Sequence, residues 1–244
     1  MTSSDLLYLA FIGVVLLLDH FVLWPMFLRR SQSDPARARI WLWSTSAIML
    51  WTMVLPGIVL WLIETRSWDS LRLVFPQGWR LWGTIALLLI LIAAFARTIA
   101  RLARNRRRKR IKLGNPSVEK YSPHTRYELG WWVMLSLSAG FCEEWIFRGY
   151  LIWAFQSTLG LWGAAALSVV VFAFAHAYQG AKGVLATGIA GAVLTLVVLV
   201  SGSLIPAMLL HALVDIEQGL VAWLVFRDSR DATETLGYED SARS

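Results

Sequence analysis

The sequence predicts an all-α fold: a polytopic membrane helical bundle of about seven transmembrane helices, with room for an eighth. Three observations carry that reading. The chain of 244 residues is 57% hydrophobic and 16% charged, too apolar for an ordinary water-soluble domain of this length. Its apolar residues fall in long blocks of roughly 18 to 25 rather than in short alternating runs. Ionisable residues interrupt those blocks at only a few positions, where each charge costs roughly 2.5 to 3.5 kcal/mol at a bilayer centre and so calls for a reason.

Taken in order, the apolar blocks lie near 5–28, 40–63, 80–102, 129–155, 161–178, 183–201 and 204–226. Each is expected to be a helix, because backbone polar groups in lipid must be satisfied within the segment. The first block lacks a basic leading region and a small-residue cleavage signal, so it reads as a retained span rather than a signal peptide. Pro25 and the Pro56-Gly57 step are expected to kink the first two spans. A short extra span or re-entrant piece has room in 64–80 or in the last third.

The net charge of +7 is unevenly spread. Arg29, Arg30, Arg37 and Arg39 follow the first span, and a dense run from Arg101 through Arg106, Arg107, Arg108, Lys109, Arg110 and Lys112 to Lys120 and Arg126 follows the third. The loops after the fourth and sixth spans carry no Lys or Arg. The positive-inside rule then puts the N-terminus outside and the C-terminus in the cytoplasm, in a multi-pass protein of the cell (plasma) membrane. Beside a membrane span the basic run reads as a topology anchor that attracts anionic lipid head groups, not as a nucleic-acid site. With Gly114, Pro116 and Pro123 it also divides the chain. A three-span part (1–104) is followed by a basic cytoplasmic linker (105–127), a four-span membrane domain (128–226) and a polar C-terminal tail (227–244). No internal repeat relates the two membrane parts.

The polar residues inside the apolar blocks carry the chemistry. In Phe141-Cys-Glu-Glu-Trp-Ile-Phe-Arg148, Glu144 and Arg148 are four apart and share a helix face, which allows a buried ion pair. Glu143 lies about a hundred degrees round from Glu144 and is free to face a cavity as a general base. His176 ends the fifth block one turn after Phe172. In the last block His211 and Asp215 stack on one face at i, i+4. The economical packing turns all of them toward one water-filled active site inside the bundle. Each alone has a plainer reading: an intramembrane histidine can be a helix-to-helix hydrogen-bond partner, and a Glu-Arg pair can serve only to lock helices. Cys142 is a lone cysteine, which rules out an intramolecular disulfide. Within an apolar helix it reads as packing rather than as a nucleophile. Asp19 and His20 form a further intramembrane polar pair in the first span.

Glu143-Glu144-x-x-x-Arg148, Phe172-x-x-x-His176 and His211-x-x-x-Asp215, in that order, resemble the three-motif pattern of the type II CAAX prenyl protease family, also called the CPBP or Abi family of intramembrane proteases. The resemblance covers roughly 128–226. Gly188-x-x-Gly191 and the Ser201-Gly-Ser-Leu-Ile-Pro206 approach to the last motif are similar to that family as well. It implies that Glu143 and His176 activate a water that attacks a peptide carbonyl. His211 and residue 215 would form the oxyanion-binding pair, with Glu144 and Arg148 organising the helix. The implied activity is a glutamate-type endopeptidase, with no cofactor, acting on membrane-associated or CAAX-like substrates. CAAX peptides, bacteriocin leader peptides and membrane anchors are all compatible with it.

Two features of this chain sit awkwardly with the pattern. Many members carry Asn where this chain has Asp215, and an ionised carboxylate would repel an oxyanion, so Asp215 is expected to orient His211 instead. At about 1.5 Å rise per residue, the expected boundaries also put His176 and His211 on opposite sides of the midplane, so convergence requires a longer, tilted or kinked helix. Zinc is the rival for a His, His, Glu, Asp set. There is no HExxH, however, and an arginine stands where a metal-ligand helix would avoid a cation. The rival function is a non-catalytic scaffold or bacteriocin-immunity protein of the same fold.

Overall fold

The structure, a computed structural model, describes residues 1–104 and 116–226. Most of the basic run and the polar tail lie outside the described residues. Among those described there is no strand, and six helices are long and apolar enough to cross a membrane. They are α1 (Ser3–Ser33), α2 (Pro35–Ile63), α3 (Trp79–Arg104), a continuous stretch from Arg126 to Ala175, α7 (Gly180–Ser201) and α8 (Leu204–Phe226). The long stretch comprises α5 (Arg126–Glu143), a π-helical segment (Glu144–Leu151) and α6 (Ile152–Ala175). A short helix, α4 (Pro116–Tyr121), precedes it inside the expected linker.

The fourth and fifth expected spans both lie in the 50-residue Arg126–Ala175 stretch, which is why six stretches hold the seven expected spans. Their boundary is nevertheless present: Gly160, at φ 69° and ψ 168°, is non-helical inside α6. Only a residue without a Cβ takes that conformation cheaply, so the glycine lets the chain turn there without a separate loop. The 64–80 segment holds only a single 3₁₀ turn, Trp68–Leu71, and no extra span.

The first kink has a local cause. Pro25 lacks an N–H and its ring crowds the carbonyl of Phe21 one turn earlier, and the helix responds with a π-helical turn at Asp19–Leu23 in which the Trp24 N–H bonds the Asp19 carbonyl. At Pro56 the helix runs on without interruption. In the turn just before it, the Tyr8 hydroxyl donates to the Met53 carbonyl at 2.9 Å. Gly57 leaves room for the Tyr8 and Trp145 rings, which would collide with any side chain.

Burial is arranged for a lipid solvent. Leu7, Phe21, Ile63, Leu89, Phe174 and Ile189 point outward and are exposed, while Glu128, Glu144, Arg148, Ser168, Thr195 and His211 are buried. α5 is the central helix and packs against α2 and α8, whereas α3 sits at the edge with little of its span covered.

Two polar clamps tie the N-terminal helices to this core. At one end, Asp5 accepts from both guanidinium nitrogens of Arg66 at 2.7 and 3.0 Å and from the Tyr150 hydroxyl at 2.5 Å. At the other, Arg39 donates to Glu128 Oε1 at 2.7 Å, and Glu128 Oε2 accepts the backbone N–H groups of His124 and Thr125. Here burial, then the neighbouring Arg39 guanidinium, push His124 below the ordinary imidazole range. The folded state therefore takes up this proton less readily than the unfolded chain, and its contribution is lost as pH falls below about 6.5. Thermal unfolding in detergent should weaken on acidification through that range, and a His124→Gln variant should lose that part of the dependence.

Candidate active site

The EExxxR segment does not continue the α-helix of α5. Glu143 is the last α-helical residue and Glu144 opens the π-helical segment, the widened turn that recurs at functional sites. The Phe147 carbonyl in this segment is satisfied from outside, by Ser168 Oγ of α6 at 2.7 Å. The altered winding is thus held in place by the neighbouring rod.

Arg148 and Glu144 form the ion pair their spacing predicts, Nη1 to Oε1 at 2.7 Å, with both side chains fully buried. The rest of the guanidinium faces α7: Nη2 donates to the Gly191 carbonyl at 3.1 Å and Nε to Thr195 Oγ1 at 3.3 Å. Its plane lies 4.1 Å from the Phe172 ring centroid. Gly191 is glycine for a visible reason, since a Cβ there would come within 3.0 Å of Arg148 Nη2 and 2.9 Å of Phe172. One buried cation therefore fastens the π-helical segment to α6 and α7.

Glu144 also holds the first histidine. His211 Nδ1 donates to Glu144 Oε1 at 2.8 Å, which turns Nε2 toward Glu143 Oε2 at 3.8 Å and Asp215 Oδ2 at 3.5 Å. The group that fixes His211 is thus Glu144, while Asp215 stands at the other ring nitrogen. The approach of α8 depends on Gly140, where a Cβ would sit 2.8 Å from the Met208 carbonyl and 2.9 Å from the Ala212 nitrogen. Trp132 Nε1 donates to the Asp215 carbonyl at 2.7 Å and sets the register of the two helices.

His176 caps the C-terminus of α6, and its Nδ1 donates to the Phe172 carbonyl at 2.9 Å, leaving Nε2 unconstrained. Phe172 packs against both histidines, 4.8 Å from His176 and 6.1 Å from His211 between ring centroids. His176, Glu143, His211 and Glu144 all act electrostatically on Asp215. Hence Glu143, Glu144, Arg148, His176, His211 and Asp215 gather in one region.

Two participants were not read from the sequence, and a third, Asp19, was read only as part of a polar pair. Thr195 lies one turn after Gly191 on the same face, a signal that was available. Gly140 lies one turn before Glu143 in Ser138-Ala-Gly140, a run of small residues suited to close helix contact. Asp19, noticed but given no partners, lies within electrostatic reach of His176, Glu143 and His20.

Among the described residues no group of three or more His, Cys, Asp or Glu is arranged to hold a metal ion. Glu144 Oε1 is already taken by a guanidinium and an imidazole, and that guanidinium would face any cation bound beside it. Cys142 is buried in the core.

No curated protein and no solved structure matches the chain. Residues 125–216, which contain all three motifs, match the family model described as Type II CAAX prenyl endopeptidase Rce1-like. Over that segment the chain is similar to the type II CAAX prenyl endopeptidases, and its long apolar helices make it an integral membrane protein.

Proposed function

We propose that this protein is an intramembrane endopeptidase in which Glu143 and His176 activate water for attack on a peptide bond of a membrane-associated or CAAX-like substrate. The observation that carries the reading is Glu143 Oε2. It is buried, has no hydrogen-bond partner among the described residues, and faces His211 Nε2 at a water-bridging 3.8 Å. A carboxylate acceptor in that position is suited to taking a proton from water.

Glu143 accepts one proton as the water oxygen bonds the carbonyl carbon, and the carbonyl electron pair moves to oxygen. His211, held at Nδ1 by Glu144, offers an Nε2–H to that oxyanion, and Asp215 beside it balances the imidazolium charge. His176, with Nδ1 engaged by a backbone carbonyl, has Nε2 available to carry the proton from Glu143 to the leaving amine as the oxyanion's electron pair re-forms the carbonyl and the C–N bond breaks. Glu144 and Arg148 fix the geometry and touch no substrate. Every step uses only this chain's side chains, and the commitment of Glu144 to Arg148 favours that route over a zinc-bound water.

The same reading takes the plasma membrane as the site of action, with the N-terminus outside, the C-terminus cytoplasmic and anionic lipids at the basic run. Peptides of CAAX, leader and membrane-anchor type, incubated with the purified protein in heavy-oxygen water, should yield products with one heavy oxygen in the new C-terminal carboxylate. Peptides that all remain intact would favour the scaffold alternative.

A further inference from the structure

Asp19 is the one intramembrane carboxylate near the site that the proposed mechanism leaves idle. It lies in the π-helical turn of α1, is half-buried, and makes no side-chain hydrogen bond or ion pair among the described residues. A carboxylate at membrane depth ordinarily has a partner. His20 does not supply one, because its own Nδ1 is buried without a hydrogen bond and its ring packs edge-on against Phe21. Nor is His176 within ion-pair distance, although it lies within electrostatic reach of Asp19.

An aromatic cluster begins one π-turn from Asp19, at Trp24, whose N–H bonds the Asp19 carbonyl. Trp24 packs on Tyr178 with ring centroids 4.6 Å apart and faces Tyr121 at 6.4 Å. Tyr178 in turn lies 5.9 Å from His176 and within electrostatic reach of both Glu143 and Asp19. A carboxylate beside a wall of electron-rich rings is the chemistry that holds an ammonium or guanidinium group, through charge and through the ring faces together.

We propose that Asp19 is a specificity-determining residue that, with Trp24, Tyr121 and Tyr178, receives a lysine or arginine side chain of the peptide bound beside Glu143. The inference rests on the endopeptidase reading for the position of the scissile bond, and its test separates the two. It also gives the N-terminal part of the chain, outside the family-matched residues, a share in choosing substrate.

The test uses Glu143→Gln protein in detergent and fluorescent apolar peptides that differ only in carrying lysine or its neutral counterpart norleucine, with the substituted position scanned along the peptide. At one position the lysine peptide should bind about tenfold more tightly, and adding Asp19→Asn should remove that preference without changing the thermal melt. Asp19→Lys should reverse it. Equal binding at every position, or a preference that survives Asp19→Asn, would overturn the proposal. Wild-type protein is assayed for cleavage of the same peptides in parallel. An Asp19-dependent preference without cleavage would contradict the endopeptidase reading and support the subsite, whereas cleavage indifferent to lysine would do the reverse.

Discussion

Glu143→Gln is expected to reduce peptide hydrolysis between about a hundredfold and ten-thousandfold, the range removed with a general base, while leaving the fold intact. The substitution keeps shape and a hydrogen-bonding oxygen but cannot take a proton. Glu143 makes no hydrogen bond whose loss would unfold the protein, and its closest charged neighbour is His211 Nε2 at 3.8 Å. The loss should therefore fall on kcat, with KM and the thermal melt little changed. Retained turnover would move the base elsewhere, to Asp19 or Asp215.

Arg148→Met should have the largest effect on stability. It removes the guanidinium beside the fully buried Glu144, leaves Thr195 Oγ1 without its donor, and leaves the Gly191 carbonyl only the hydroxyl of Thr195 as a side-chain donor. Breaking one side of a buried pair costs about 3–5 kcal/mol, because the remaining charge is uncompensated. Arg148→Lys should recover little of this, since an ammonium cannot reach three acceptors on two helices with the fixed fork of a guanidinium. The double variant Arg148→Met with Glu144→Gln should regain stability by neutralising both partners, yet stay inactive because His211 loses its anionic anchor. Thermal unfolding and peptide cleavage, measured on all three, test this. An Arg148→Met protein as stable as wild type would mean that the pair does not hold the bundle together.

The sequence was most informative where lipid makes polarity expensive. Apolar block lengths gave the helices, and the ionisable residues within them gave the six that gather at the site, because few other reasons exist to put Glu, Arg and His there. The Glu144–Arg148 pair followed from helical spacing alone and survives the change to π-helical winding, where residues four apart still meet. What was not legible depends on backbone geometry. The π-turns at Asp19 and Glu144 come from proline crowding and from a serine on another helix. The division of the fourth and fifth spans without a separate loop turns on the conformation of Gly160. The hydrogen bond from His211 to Glu144 was likewise hidden. Spacing within α8 suggested Asp215 as the orienting group, but the approach of α8 to α5 at Gly140 brings a carboxylate of another helix to Nδ1. Patterns along one helix are read from a sequence more readily than the rotation of one helix against the next.

The central claim is hydrolysis by Glu143 and His176 without a metal. It is tested most directly by cleavage of a panel of quenched fluorescent peptides, farnesylated CAAX peptides included, with detergent-purified wild type and Glu143→Gln, each with and without a zinc chelator. The account predicts wild-type cleavage that survives the chelator and disappears in the variant. Cleavage that the chelator abolishes and added zinc restores would contradict it.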